Sequence, residues 1–218
     1  MRAECALVIA IVGAESSGKT TLAQALQQRI AGQGLRAAMV GEALREFCDR
    51  EQRTPRRDEQ AALAAEQSRR IADATRGHAV VVADTTALMT AIYSEQVFGD
   101  RSLYAGAEAA HRRCDLTLVT ALDLPWQADG LQRDGAHVRA PVDALLRAAL
   151  LRMDLPFAVV SGHGAARLDS AWREVRRILG LASDQPAAGP SPRRWHCERC
   201  GDADCERRLF GPLLAPRA

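Results

Sequence analysis

The run Gly13-Ala14-Glu15-Ser16-Ser17-Gly18-Lys19-Thr20 satisfies the spacing GxxxxGK[ST] in full and constrains this chain more than any other segment. Residues 6–12 before it are almost wholly apolar, as expected of a parallel strand buried on both faces. Residues 18–31 after it put Leu22, Ala25, Leu26 and Ile30 on one helical face and stop at Gly32 and Gly34. A strand turning through glycine into a helix lets successive N–H groups curl around a phosphate, and the helix's amino end adds partial positive charge. Gly13, Ala14, Glu15, Ser16, Ser17, Gly18, Lys19, Thr20 and Thr21 are therefore the expected nucleotide-binding segment. Lys19 is expected to reach the β- and γ-phosphates of ATP, and the Thr20 hydroxyl to ligate Mg²⁺. An incidental glycine turn is the competing reading, and the strand-to-helix context argues against it.

The bias among the cations sharpens this. Of 29 basic residues, Lys19 is the single lysine and all others are arginine. In such a chain a lone lysine suggests a place where a compact ammonium is needed and a planar guanidinium does not fit.

The rest of the chain alternates strand-like and helix-like stretches. Further strands are expected at 35–40, 78–83, 115–121 and 157–161. Helices are expected at 43–50, 57–75, 87–98, 103–112, 142–152 and 165–179, with Thr54-Pro55 separating the first two. This order implies an α/β P-loop NTPase fold, a central parallel sheet with helices on both faces and ligands at the carboxyl ends of the strands. Residues 123–140 are polar, with Gly130, Gly135 and nearby prolines, and read as a loop or lid. The expected organisation is a P-loop domain over 1–182, a Pro/Ala/Gly-rich linker over 183–194 and a short Cys-rich tail over 195–218. A net charge of +2 gives no field suited to nucleic acid or an anionic membrane. The longest apolar run is too short to span a bilayer and lacks the features of a secretory signal, so the expected location is the cytoplasm.

Several side chains complete the candidate site. Asp84 ends the third strand, where a carboxylate serves Mg²⁺; the alternative is a cap for the helix after it. Glu42 ends the second strand, placed to accept the proton of an acceptor hydroxyl, with Arg45 and Glu46 three and four residues on and thus on one helical face; the alternative is a surface salt-bridge cluster. A lid arginine can offset charge on a transferred phosphoryl group, with Arg133 the first choice and Arg139 the second. Trp126 either stacks on a flat ring or anchors packing. Cys197, Cys200 and Cys205 form a CxxC with a third cysteine, suited to Zn²⁺ with an unassigned fourth ligand or else a redox-sensitive tail; Cys5, Cys48 and Cys114 read as scattered reduced thiols.

Three segments together resemble the nicotinamide-riboside kinase domains of the NadR family and related AAA-type ATPases: Gly13 to Leu22 with its internal Glu-Ser-Ser, Glu42-Ala-Leu-Arg45-Glu46-Phe47, and Asp84-Thr85 with Asp123-Leu-Pro-Trp126-Gln-Ala-Asp129-Gly130-Leu131. The resemblance spans residues 6 to about 180. It implies an ATP- and Mg²⁺-dependent kinase that phosphorylates the 5′-hydroxyl of nicotinamide riboside, or a similar small-molecule nucleoside, for NAD salvage. The carried-over residues are Gly18, Lys19 and Thr20 on the phosphates, Asp84 and Glu42 near metal and acceptor, and Trp126 and Asp129 around the lid. Thr86, Ala128 and Gln132 depart from the family pattern, with Arg133 one place beyond the expected lid arginine. A nucleotide-switch ATPase without a small-molecule acceptor is the alternative function.

Overall fold

In the computed structural model, residues 6–127 and 135–181 are described, all within one compact unit. Five parallel strands, β1 (Leu7–Val12), β2 (Ala37–Val40), β3 (Val80–Asp84), β4 (Leu116–Thr120) and β5 (Ala158–Val160), stand in the order β2-β3-β1-β4-β5. Helices α1 (Lys19–Ala31), α2 (Ala43–Glu51), α3 (Gln60–Thr75), α4 (Ala87–Phe98), α5 (Tyr104–His111), α6 (Arg139–Arg152) and α7 (Gly164–Leu179) connect or follow them. No helix of the described residues is long and apolar enough to cross a membrane.

The strands are largely apolar, apart from Asp84 at the end of β3 and Thr117 and Thr120 of β4, because helices cover both faces. Along β1, Ile9 and Ile11 point to one side with Val80 and Val82 of β3, where Leu22, Leu26 and Ile30 of α1 and Trp172 and Val175 of α7 meet them. Val12 and Val119 face the other side, against Leu88 and Ile92 of α4 and Val142, Leu146 and Leu150 of α6. The period of two in the strands sorts one apolar sequence into two cores.

The segment after β4 departs from expectation. The sequence pattern runs the loop to Ala140, but residues Ala136–Val138 form a 3₁₀ turn and α6 begins at Arg139. Pro141 does not prevent this, since it occupies the first helical turn, where no intrahelical N–H donor is required. Arg139 is consequently a buried first-turn residue, not a loop arginine: its Nη1 donates to the Leu124 carbonyl at 2.9 Å, and only 8% of it is exposed. Arg133 and Asp129 lie outside the described residues, as do the linker and Cys197, Cys200 and Cys205.

One buried titratable group ties α5 to the sheet. His111 is 1% exposed, with Nδ1 2.9 Å from the Thr86 hydroxyl and Nε2 3.0 Å from that of Thr117. Burial pushes its pKa down from 6.5 to about 4. The unfolded chain therefore takes up this proton before the folded one does, so the contribution to stability is complete above pH 6.5 and is lost as pH falls toward 4, a swing of about 3 kcal/mol. Urea denaturation across this window is expected to show a steeper acid loss for the wild type than for His111→Gln. Parallel curves would assign the acid sensitivity to another group.

Candidate active site

The loop between β1 and α1 is fixed by contacts that only its own residue types permit. Gly13 has φ 154°, and a Cβ there would sit 2.0 Å from Thr120 Oγ1. Ser17 is fully buried; its hydroxyl lies 2.6 Å from the Ala14 carbonyl and 2.7 Å from the Thr120 hydroxyl, tying the loop to β4. Gly18 caps α1 in the left-handed region at φ 75°. From the far side, Arg167 of α7 donates to the Ser17 carbonyl at 2.7 Å and to Asp123 Oδ1 at 2.7 Å. Against partial burial, which would raise it, the Arg167 guanidinium and the Gly162 N–H hold the Asp123 carboxyl below its ordinary value.

Two clefts flank this loop. The first is lined by the side of the loop that includes Ser16 to Thr21, with Leu124, Pro125 and Gln127 from the segment after β4 opposite. The second is walled by Leu44 and Cys48 of α2, Thr54, Pro55 and Gln60, and Met89, Tyr93, Val97 and Phe98 of α4. Ser16, Lys19, Glu42 and Arg45 line both and form the junction between them. The Lys19 ammonium rests 3.0 Å from the Ala14 carbonyl, and Arg45 Nε is 4.0 Å from Glu42 Oε2.

Behind the first cleft, the hydroxyl of Thr20, which lines it, donates to Asp84 Oδ2 at 2.6 Å, while Asp84 Oδ1 is buried without a hydrogen-bond partner. Burial raises the Asp84 pKa, against the pull of Thr20, Lys19 and Arg45. An orphaned carboxylate oxygen beside a hydroxyl is a hard-oxygen donor pair of the kind Mg²⁺ takes, so the residues fit that ion. The next residue, Thr85, is held at φ 77°, and its carbonyl and that of Gly41 accept from Gln67 Nε2 at 3.4 and 3.2 Å. Gln67 Oε1 also accepts from the Ala43 N–H at 2.8 Å, so one buried amide on α3 fixes the ends of both β2 and β3.

Two of the expected site residues have side-chain partners that their spacing does not show. Glu46 does not share the wall formed by Glu42 and Arg45; its carboxylate pairs with Arg70 of α3 at 2.7 Å, because its face of α2 abuts that helix. Glu15 does not turn toward the first cleft. Its N–H donates to the Tyr93 hydroxyl at 3.0 Å, its carboxylate accepts from Trp126 Nε1 at 3.1 Å, and it lines the second cleft. Trp126 thus meets the loop through its indole N–H. Ser16 is held similarly, its hydroxyl accepting from the Gln127 N–H at 2.8 Å and lying 3.2 Å from the Gln127 carbonyl. Sequence reasoning missed Tyr93, Gln67 and Arg167 altogether; none carries a local signal, since each acts across 18 to 150 residues. Among the described residues no group of three or more His, Cys, Asp or Glu side chains is placed to hold a metal by itself.

The parallel five-stranded sheet, with its glycine loop opening α1 beside the end of β3, defines a P-loop NTPase fold. A family model for an AAA domain matches residues 8–167, and the chain belongs to that family. Among solved structures it is similar to the NadR protein in complex with NR, at 20% identity and TM-score 0.68 over 84% of this chain and 53% of that one. The NadR protein in complex with NAD and AMP-PNP is similar at 21% identity and TM-score 0.62, over 83% and 52%. Deoxyadenosine kinase from M. mycoides follows at 13% identity and TM-score 0.56, over 79% and 100%. The chain spans about half the length of the NadR proteins. At these identities the likeness establishes the fold. No curated protein sequence matches the chain.

Because the raised Asp84 pKa marks a buried carboxylate that is costly when ionised, Asp84→Asn is expected to raise the thermal midpoint of the nucleotide-free protein at pH 7 while weakening Mg²⁺-dependent nucleotide binding. Thermal scans and a titration with and without Mg²⁺ check both. A variant that loses stability, or binds nucleotide with unchanged metal dependence, would remove Asp84 from this role.

Proposed function

We propose that the protein is a nucleoside kinase that transfers the γ-phosphoryl group of ATP to the 5′-hydroxyl of nicotinamide riboside or a closely similar nucleoside, as a step of NAD salvage. The single observation that supports this most is the meeting of two clefts at Lys19, Glu42 and Arg45. A phosphate cradle alone suits any ATPase; a second, largely apolar cleft opening onto the same lysine suits an acceptor. Met89, Tyr93, Val97 and Phe98 line it over a ten-residue stretch of α4, about 13 Å from end to end at the helical rise, the length of a nucleoside. The NadR and deoxyadenosine kinase structures share the fold, and their names agree with an acceptor of this class.

In this reading, donor phosphates lie against the loop from Gly13 to Thr21, and Lys19 spans β- and γ-oxygens. Thr20 and Asp84 would hold Mg²⁺, which supplies charge neutralisation on the phosphates. The acceptor 5′-oxygen attacks the γ-phosphorus as the bond to the β-phosphate oxygen breaks, and ADP leaves. Glu42 accepts the hydroxyl proton, and Arg45, with its Nε 4.0 Å from Glu42 Oε2, orients that carboxylate.

The test is turnover with ATP and Mg²⁺ across a panel of nucleosides that includes nicotinamide riboside, with phosphorylated product measured directly. Monophosphate is expected; ATP hydrolysis without transfer to any acceptor would replace the kinase by a nucleotide switch. Lys19→Ala is expected to remove most turnover. Glu42→Gln is expected to spare ATP binding and lower transfer by about 10²-fold or more. Unchanged transfer in the latter would move proton acceptance to another group.

A further inference from the structure

Glu15 is a phosphate-loop residue whose carboxylate belongs to the other cleft. It is 6% exposed; one oxygen accepts from Trp126, and the other, Oε2, is buried with no hydrogen-bond partner. We propose that the Glu15 carboxylate reads the acceptor by taking a hydrogen bond from a 2′- or 3′-hydroxyl of its sugar, so that the loop holding the donor also selects ribonucleosides. This inference rests on the nucleoside kinase reading.

The chemistry follows from what is missing at Oε2. A buried carboxylate oxygen without a donor forfeits solvation that nothing in the fold returns, and a hydroxyl group restores it through a charge-assisted bond. A cationic ligand group suits the position less well, since Lys19 and Arg45 line the same cleft. Place along the cleft then decides between sugar and base. Glu15 directly follows Ala14, whose carbonyl the Lys19 ammonium meets at 3.0 Å, so it belongs to the end of the cleft where the 5′-oxygen must meet the γ-phosphate. Val97 and Phe98, at the far end of α4, offer the apolar wall that a ring system covers. The sugar lies between the two. Trp126 holds the carboxylate in place from the segment after β4 and acts as a positioning residue.

The experiment compares kcat/KM for a ribonucleoside with that for its 2′-deoxy and 3′-deoxy analogues, in wild type, Glu15→Gln and Trp126→Phe, alongside calorimetric binding of the same three compounds. The wild type is expected to favour the ribonucleoside by about tenfold or more over at least one analogue, and Glu15→Gln to collapse that ratio toward one. The ratio cancels any general change in ATP handling, and Trp126→Phe, which leaves the loop sequence intact, is expected to lower it partially. Transfer with a ratio that neither variant moves would overturn the role of Glu15 and leave the kinase reading standing. Ribose-selective binding that Glu15→Gln abolishes, without transfer in any case, would overturn the kinase reading and keep the site. Absence of both binding and transfer would end both.

Discussion

The hydrogen bond from the Thr20 hydroxyl to Asp84 is the contact on which the site depends, and it exists because β1 and β3 are immediate neighbours. Their register pairs Leu7 with Val80 and Ile11 with Asp84, so the glycine loop leaves β1 just where β3 delivers its one carboxylate. A strand inserted between them would part the two by about 5 Å and put the carboxylate out of reach of the first turn of α1. Pairing in the sheet therefore sets the distance between Thr20 and Asp84 before any side chain is chosen.

Around that contact the fold gathers several local costs. Ser16 and Thr85 both have positive φ, and Thr85 is β-branched, for which that region is especially strained. Asp84, Thr85 and Glu15 each bury an oxygen with no hydrogen-bond partner. All lie at the carboxyl ends of β1 and β3. They are held by groups from elsewhere in the chain: Gln67 from α3, Tyr93 from α4 and Arg167 from α7. Two apolar cores, one on each face of the sheet, supply the stability that keeps these elements fixed while the site stays under tension.

The sequence discloses this architecture well where the signal is local. Apolar runs ending in glycine or an acid mark strands, 3.6-residue patterns mark helices, and the phosphate loop is recognisable by its spacing. It discloses less where a side chain's direction depends on a distant partner. Glu46 follows Glu42 at helical spacing, yet Arg70 of α3 draws it away. Glu15 sits inside a phosphate-binding motif, yet Tyr93 and Trp126 turn it to the opposite cleft. Arg139 looks like a loop cation until α6 is seen to begin there. In each case the residue type was legible and its orientation was not, because orientation is fixed by contacts with distant parts of the chain, 24 residues away for Glu46 and 111 for Glu15.

The unequal use of the two basic residue types now has a physical account. Arg167 donates to the Ser17, Ala121 and Gly162 carbonyls and to Asp123, a fan of acceptors that a planar fork can satisfy at once and a single ammonium cannot. Arg53 grips both oxygens of Glu59 in the same manner, at 2.7 Å each. Both arginines brace loops from behind. Lys19 does the opposite. It emerges from the first turn of α1 at the junction of two clefts, 3.0 Å from its own loop's Ala14 carbonyl, where a compact ammonium takes less room than a guanidinium. At that junction the one lysine stands with Arg45, while Arg167 and Arg53 hold the loops behind it.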